Sequence, residues 1–443
     1  MNCSRLVLQR IPGASPKHSI HSSRNALKQT RTFSPFIRPA HSVSTRNFST
    51  QTRQDILVLN SGSSSLKFNL FSVDLESDSV TSVLSGAANG LTVTGDVDPE
   101  IKIKQGDKTL ICDVISSPTH CAALSVIADT IRSHSSDNIS AVGHRVVHGG
   151  TVFPESCVVD DSALDELARL NSLAPLHNPH NLAGIVAATE IFPGALQVGV
   201  FDTGYHATIP EHAFTYALPR HLATKYRKYG FHGTSHKYVV GEAAKFLGKD
   251  KINAISLHLG NGCSVACIKD NRSIDTTMGY TPLAGLPMGS RSGDIDPSIV
   301  IKLLQDEGCS SDEVSDILHN QSGLYGISGS SDSLTVERGY TSGDPGCKLA
   351  FNVFAYNVKK CIGAYTAILD NKVDCIIFTG GIGENSPLLH SLVCEGLHPL
   401  SHDNYSRSSH VSDIGVAGSS TQVLVVKTNE ELAIAKECMK FMR

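Results

Sequence analysis

Three stretches of the chain join the end of an apolar run to a knot of small residues: NSGSSSLK (60–67), LGNGCS (259–264) and GGIGEN (380–385). Turns of this kind expose backbone N–H groups, and such groups surround phosphate oxygens. Any one of them is a turn first; three of them, with Lys67 in the first, point to a phosphate ligand. G-x-x-x-x-G-K-[ST] occurs nowhere, which excludes a P-loop. Dinucleotide binding is weakly supported, because no G-x-G-x-x-G follows the first apolar run, and H-R-D with D-F-G is missing. A second set consists of lone polar residues at the ends of apolar runs: Arg145 and His148 in GHRVVHGG, Asp202 after VGVF, His232 in YGFHGTSH and Arg291 in MGSRSGDIDP. Strand ends are where α/β sites gather reactive groups. Two cations hold a carboxylate against a transferring phosphoryl group, and a carboxylate holds a divalent cation. His144 and His148 stand four apart on a predicted strand, so they do not form a helical metal pair.

Those residues need strands to end where they stand. ILVLN (56–60), ISAVGHRVV (139–147), ALQVGVF (195–201), AISLHL (254–259) and CIIFT (375–379) read as buried strands. Leu182, Ile185, Val186 and Thr189 recur at helical spacing after HNPHN. A long helix is predicted over Leu349–Leu369, with Ala350, Val353, Phe354, Asn357, Val358, Cys361, Ile362, Tyr365 and Ile368 on its buried face. Strands alternating with helices mark an α/β protein. The strand-turn-strand plan at Ile56 returns at Ala254, which suggests two duplicated units.

Composition narrows the function. At 443 residues the expectation is two domains; 40% of residues are hydrophobic and no apolar run is long enough to span a bilayer. The first 53 residues hold nine of the 38 Lys and Arg, no Asp or Glu, and many Ser and Thr. That composition reads as an organelle transit peptide, with RNFST (46–50) as a processing site; the mitochondrial matrix is expected and the chloroplast is the alternative. The other 29 basic residues face 42 acidic ones, a formal charge of −13 that argues against nucleic-acid binding. Twelve cysteines include no C-x-x-C pair and read as reduced thiols.

Together the motifs resemble the acetate kinase family, the acetokinase branch of the sugar kinase, actin and heat-shock chaperone ATPase superfamily. The resemblance runs from Asp55 to Lys440, through LNSGSSSLKF, GHRVVHGG, LAPLHNPHN, FDTGYH, YGFHGTSHKYV, HLGNGCS, DTTMGYTPLAGLPMGSRSGDIDP, FTGGIGENS and TNEELAIA in order. It implies an α/β fold of two duplicated ribonuclease-H-like (actin-like ATPase) domains flanking a cleft. Domain I would span 54–203 plus 431–443 and domain II 204–430, in a homodimer. The implied reaction is reversible, Mg²⁺-dependent phosphoryl transfer between ATP and acetate, giving ADP and acetyl phosphate. By the resemblance, Asn60 and Glu430 hold Mg²⁺, and Ser63, Ser65 and Lys67 form the first phosphate turn. Arg145 binds acetate, with Val147, Leu176, Phe231 and Pro282 around its methyl group. Asp202, His232 and Arg291 are the catalytic residues. His258, Leu259, Gly260, Asn261 and Gly262, and Gly381, Ile382, Gly383, Glu384 and Asn385, form the nucleotide loops.

One segment departs from the family. Where members usually carry Ser-Ser-Asp-Phe/Met-Arg to hold adenosine, this chain reads GISGSSDSLTVE (326–337). Without a gap Ser333, Leu334 and Thr335 occupy those positions; with one, Asp332 survives, and the Arg is missing either way. His390 also replaces a frequent Arg. The alternatives are therefore a propionate or butyrate kinase, or an acetate kinase using another phosphoryl donor such as pyrophosphate. A non-catalytic nucleotide-dependent module would not need Arg145, Asp202, His232 and Arg291 together.

Overall fold

A computed structural model describes residues 53–91, 98–134, 139–175, 177–398, 400–401, 406 and 408–443. The expected leader therefore lies outside the described residues except for Arg53, which opens the first strand. Leu176 lies outside them too.

The first half builds an eight-stranded sheet from β1 (Arg53–Ser61), β2 (Ser65–Asp74), β3 (Ser79–Asn89), β4 (Glu100–Gln105), β5 (Lys108–Val114), β6 (Ile139–Val146), β7 (Cys157–Val158) and β8 (Leu196–Phe201). Its order is β5-β4-β3-β2-β1-β6-β8-β7, antiparallel from β5 to β1 and then parallel across β1, β6 and β8. The second half has β9 (Ala254–Leu259), β10 (Cys263–Lys269), β11 (Arg272–Thr276), β12 (Cys375–Thr379), β13 (Val411–Asp413) and β14 (Gln422–Val426), ordered β11-β10-β9-β12-β14-β13. β9, β12 and β14 are parallel, β10 and β11 antiparallel, and the short edge strands β7 and β13 each pair antiparallel with the last parallel strand. The two sheets share one plan, with β1–β2 answering β9–β10. This is the duplicated actin-like fold.

Both faces of the first sheet are covered. Leu57 and Leu59 point into one core and Ile56 and Val58 into another, the alternation a strand buried on both sides requires. The second core meets Ile434, Ala435, Cys438 and Met439 of the helix Glu430–Met442, so the last helix returns to the first half. The helix Gly233–Leu247 covers one face of the second sheet, and Pro345–Ile368 contributes Phe351, Phe354, Val358 and Ile362 to the core on the other.

The expected face of the long helix holds through Ala350, Phe354, Val358, Ile362 and Tyr365 and differs at its edges. Ile368 is 46% exposed, whereas Phe351 is fully buried. In the helix Asn178–Ile191 the buried side runs through Asn181, Gly184, Ile185, Ala187 and Ala188, and Thr189 faces solvent. Small residues let this helix approach β1 closely, with Gly184 against the Ser61 side chain. A pattern built on large apolar residues therefore misplaces its axis.

Candidate active site

The parallel strands β1, β6 and β8 end side by side, which brings Asn60, Arg145 and Asp202 together. Asp202 is 1% exposed. Arg145 Nη2 donates to Asp202 Oδ2 at 2.6 Å, and its Nε donates to both carboxylate oxygens at 3.1 and 3.2 Å. Nη1 donates to Asn60 Oδ1 at 3.4 Å, and Nε lies 3.6 Å from Glu430 Oε2. Burial opposes the Arg145 charge, but Asp202 and Glu430 more than restore it and hold its pKa above the ordinary value. Burial lifts the Glu430 carboxyl to about 6; Arg145 counters this, and Asp202 adds to it.

The second half meets this cluster through His232. It caps the helix Gly233–Leu247 from the left-handed region at φ 58°, which few non-glycine residues adopt. Gly233 N–H donates to the Asp202 carbonyl at 2.9 Å, and a Cβ on Gly233 would lie 2.2 Å from that oxygen. The next residue, Thr234, donates its hydroxyl to Asp202 Oδ1 at 3.4 Å. The Phe-His-Gly-Thr turn is thus bolted to the end of β8.

His232 Nδ1 lies 2.9 Å from Ser264 Oγ. A Cβ placed on Gly262 would be 3.5 Å from His232 Nε2 and 3.7 Å from Arg291 Nη1, so these groups share one space beside the HLGNG turn. Arg291 donates to the Pro282 carbonyl at 3.2 Å and has no carboxylate partner among the described residues. Burial consequently lowers its pKa. The His258 ring is tilted by 33° against that of His232, with centroids 4.3 Å apart, and its Nδ1 lies 2.8 Å from Ser235 Oγ. Burial, and then the charges of His258 and Arg145, push His232 well below the usual imidazole range. His232 is therefore neutral at pH 7.

The remaining expected residues fall into three groups. Val147 packs against the core that contains Phe231, and Pro282 offers its carbonyl to Arg291. In the first turn, Gly62 N–H donates to Ser65 O at 2.8 Å and Ser63 is exposed; Lys67 is exposed on β2 opposite Asn60, and its charge reaches Glu430. The second and third turns adjoin, since a Cβ on Gly260 would lie 4.0 Å from Gly381 N. Leu259 and Ile382 put their side chains into the core, which leaves their backbones to the cleft. Glu384 accepts from Gly380 N–H and Thr428 N–H, and Asn385 donates to Gly381 O, so both hold the turn's shape. The stretch 380–385 is itself a short helix rather than a glycine turn. Asn261 O accepts from Gly289 N–H at 3.1 Å, and the Ser331 carbonyl lies beside Gly289, which brings the segment before Ser333, Leu334 and Thr335 to this side.

A divalent cation suits the donors at the first cluster. Asn60, Asp202 and Glu430 offer hard oxygens on one guanidinium, although no group of three His, Cys, Asp or Glu among the described residues is arranged as a metal site.

Several positioning groups escaped the sequence. Asn181 accepts from Val147 N–H and donates to Ser61 O, and Asn178 clamps both backbone groups of His148, so HNPHN fixes the loop after Arg145. His206 lies buried between Ser273 and the Phe231 carbonyl. His390 donates Nε2–H to Gly383 O at 2.7 Å and packs on Phe378, so it supports the third turn from behind.

The acetokinase family model matches residues 55–436. An acetate kinase of Coprothermobacter proteolyticus is 45% identical over 406 residues, covering 88% of this chain and 99% of that protein. One of Heliobacterium modesticaldum is 43% identical over 400 residues, with the same two coverages. Among solved structures, a propionate kinase from Francisella tularensis aligns with TM-score 0.80 at 39% identity, over 87% of this chain and 98% of that one. The acetate kinase of Porphyromonas gingivalis aligns with TM-score 0.80 at 35% identity, over 88% and 100%.

Proposed function

The chain belongs to the acetokinase family, and from that premise we propose that its cleft moves a phosphoryl group reversibly between ATP and the carboxylate of acetate. The observation that carries this reading is Arg291, a partly buried cation beside His232 Nε2: among the described residues the arginine has no acidic partner and that ring nitrogen has no hydrogen-bond partner. Such a pair calls for an anion.

Phosphoryl transfer asks mainly for alignment and neutralisation of charge. A carboxylate oxygen forms its bond to the γ-phosphorus as the bond to the bridging oxygen breaks, and that oxygen leaves with ADP. Arg145 draws the acetate carboxylate, and Asp202 and Asn60 fix the orientation of its guanidinium. Asp202 does not act as a base, because acetate is already ionised and both Asp202 oxygens accept from Arg145. Arg291 and His232 Nε2 bear on the equatorial oxygens of the group in flight, while the three turns offer backbone N–H groups to the phosphate chain. Asn60 and Glu430 would hold Mg²⁺, which would supply neutralisation of the phosphate charge. Val147, Phe231 and Pro282 enclose the methyl group.

The reading extends to three finer points. A homodimer is supported by the helix Pro297–Gln305, which buries none of its residues and exposes Ile299, Ile301 and Leu304. No described helix is long and apolar enough to cross a membrane. Import into the mitochondrial matrix is supported by the basic, acid-free composition of residues 1–53, and fractionation with N-terminal sequencing of the mature chain tests it.

Hydroxamate trapping of acyl phosphate, with acetate, propionate and butyrate against ATP, GTP and pyrophosphate, tests the activity. Acetyl phosphate from acetate and ATP is expected; no turnover with any combination refutes the reading.

A further inference from the structure

His232 has to donate a hydrogen bond to a phosphoryl oxygen while uncharged, so the ring nitrogen that carries its single proton decides whether it helps or repels. Behind it runs a line of buried polar groups: Ser256 Oγ lies 2.8 Å from His236 Nδ1, His236 Nε2 lies 2.8 Å from Ser264 Oγ, and Ser264 Oγ lies 2.9 Å from His232 Nδ1. Ser256, Ser264 and His236 are fully buried, the serines on β9 and β10 and His236 one turn into the helix that His232 caps.

A proton order with His236 Nε2–H and His232 Nδ1–H both donating to Ser264 strands the Ser264 hydroxyl proton, which has no other partner among the described residues, and two others fit those distances. In one, Ser256 donates to His236 Nδ1, His236 Nε2–H donates to Ser264, and Ser264 donates to His232 Nδ1. His232 then carries its proton on Nε2. In the reverse order His236 donates from Nδ1 to Ser256, Ser264 donates to His236 Nε2, and His232 Nδ1–H donates to Ser264. A bare lone pair at His232 Nε2 then faces the phosphate. The reverse order also strands the Ser256 hydroxyl proton, because Ser256 Oγ makes no other hydrogen bond among the described residues. A buried donor without a partner costs about 1–3 kcal/mol. The forward order gives every proton between Ser256 and His232 Nδ1 an acceptor and turns the His232 Nε2–H toward the cleft.

We infer that Ser256, His236 and Ser264 are positioning residues that set the tautomer of His232, holding its proton on Nε2 so that the neutral ring donates to the transferring phosphoryl group. The inference rests on the phosphotransferase reading for its consequence in rate, and on the hydrogen-bond line alone for the tautomer. Second partners of a functional imidazole work this way in general, fixing both its proton and its orientation.

The test has two arms. In wild-type protein labelled with ¹⁵N-histidine, multiple-bond ¹H–¹⁵N correlation at pH 7 is expected to show His232 with a protonated Nε2 and a bare Nδ1, assigned by loss of the signal in His232→Ala. A protonated Nδ1 overturns the inference whatever the enzyme's activity. In steady-state assays Ser264→Ala is expected to cut kcat about 10- to 100-fold with little change in either KM. Ser264→Thr, which keeps the hydroxyl, is expected to recover most of that loss. Ser264→Ala in a His232→Ala background is expected to cost almost nothing more. An equal kcat loss in both backgrounds marks a merely structural role and refutes the assignment. Wild-type protein that makes no acyl phosphate, yet shows the Nε2 proton, sinks the kinase reading and leaves the tautomer standing.

Discussion

Removing each of the two site arginines should move stability and activity in different combinations. Arg145 is tied to Asp202 by three contacts of 3.2 Å or less, and Asp202 is 1% exposed. Arg145→Ala therefore strands a buried carboxylate. Breaking such a pair from one side costs about 3–5 kcal/mol when it is fully buried, and the 22% exposure of the Arg145 side chain discounts this case to about 2–3 kcal/mol. Arg291 has no acidic partner to strand among the described residues, and burial already works against its charge. Arg291→Ala gives up a carbonyl contact and some packing of its stem, while it removes an uncompensated cation, so the net change in stability should be under about 1 kcal/mol. Its catalytic cost is the larger one. A cation matched to the equatorial oxygens is worth about 10³-fold or more, or about 4 kcal/mol of barrier. The assays are urea unfolding without substrates, and steady-state kinetics by hydroxamate trapping. Arg291→Ala should keep a near-wild-type unfolding midpoint and lose kcat with little change in the KM for ATP. Arg145→Ala should lose stability and raise the KM for acetate. Near-wild-type kcat in Arg291→Ala removes it from the phosphoryl group, and equal destabilisation by both substitutions refutes the charge argument.

Val147→Ala should lower the KM for propionate or butyrate relative to acetate, since one methylene of room is worth about 1–3 kcal/mol; unchanged relative KM values in acyl-phosphate assays refute the pocket. Burial pushes His144 and His206 down to about 4, and neither is more than 2% exposed. Between about pH 6.5 and pH 4 the unfolded chain binds protons that these folded sites refuse. Stability should therefore be level above pH 6.5 and fall on acidification, by up to about 3 kcal/mol per site, with Glu430 opposing over part of that range. Urea midpoints that stay flat or rise from pH 7 to pH 5 contradict this. Ile301→Glu should convert a dimer to a monomer in size-exclusion chromatography with light scattering, because Ile301 is 51% exposed on a helix with no buried residue; a retained dimer excludes this helix from the interface. GTP should replace ATP with less than a tenfold loss in kcat/KM, and a loss above a hundredfold would show base contacts that the segment around Asp332 does not supply.

What was legible in the sequence was whatever chemistry makes rare. Arg145 and Asp202 interrupt apolar runs, where a charge is costly unless paired, and they prove to be each other's partner. Three knots of small residues do stand at the ends of β1, β9 and β12, the third of them as a short helix. The supports were illegible because their residue types are ordinary in their places. Ser256 and Ser264 look like routine strand residues, and Thr234 looks like routine helix. Asn178 and Asn181 looked like turn formers, yet the loop after Arg145 hangs on their side chains. Their roles come from contacts between segments tens of residues apart, which no local pattern encodes.

The segment that departs from the family shows how such a contact changes a reading. Asp332 survives in the chain, but its carboxylate caps the helix Ser333–Ser342, accepting from Thr335 N–H at 3.0 Å and from the Thr335 hydroxyl at 2.6 Å. Thr335 stands where the ungapped comparison places the missing Arg, and both of its donors are already taken. Leu334, 54% exposed at the aromatic position, offers only an apolar surface to a base. Capping and nucleoside recognition thus draw on the same carboxylate, and capping takes its Oδ2. The proposed reaction would then discriminate at the base end mainly by shape and apolar contact, and would spend the charge of Arg145 and Arg291 on the group that is transferred.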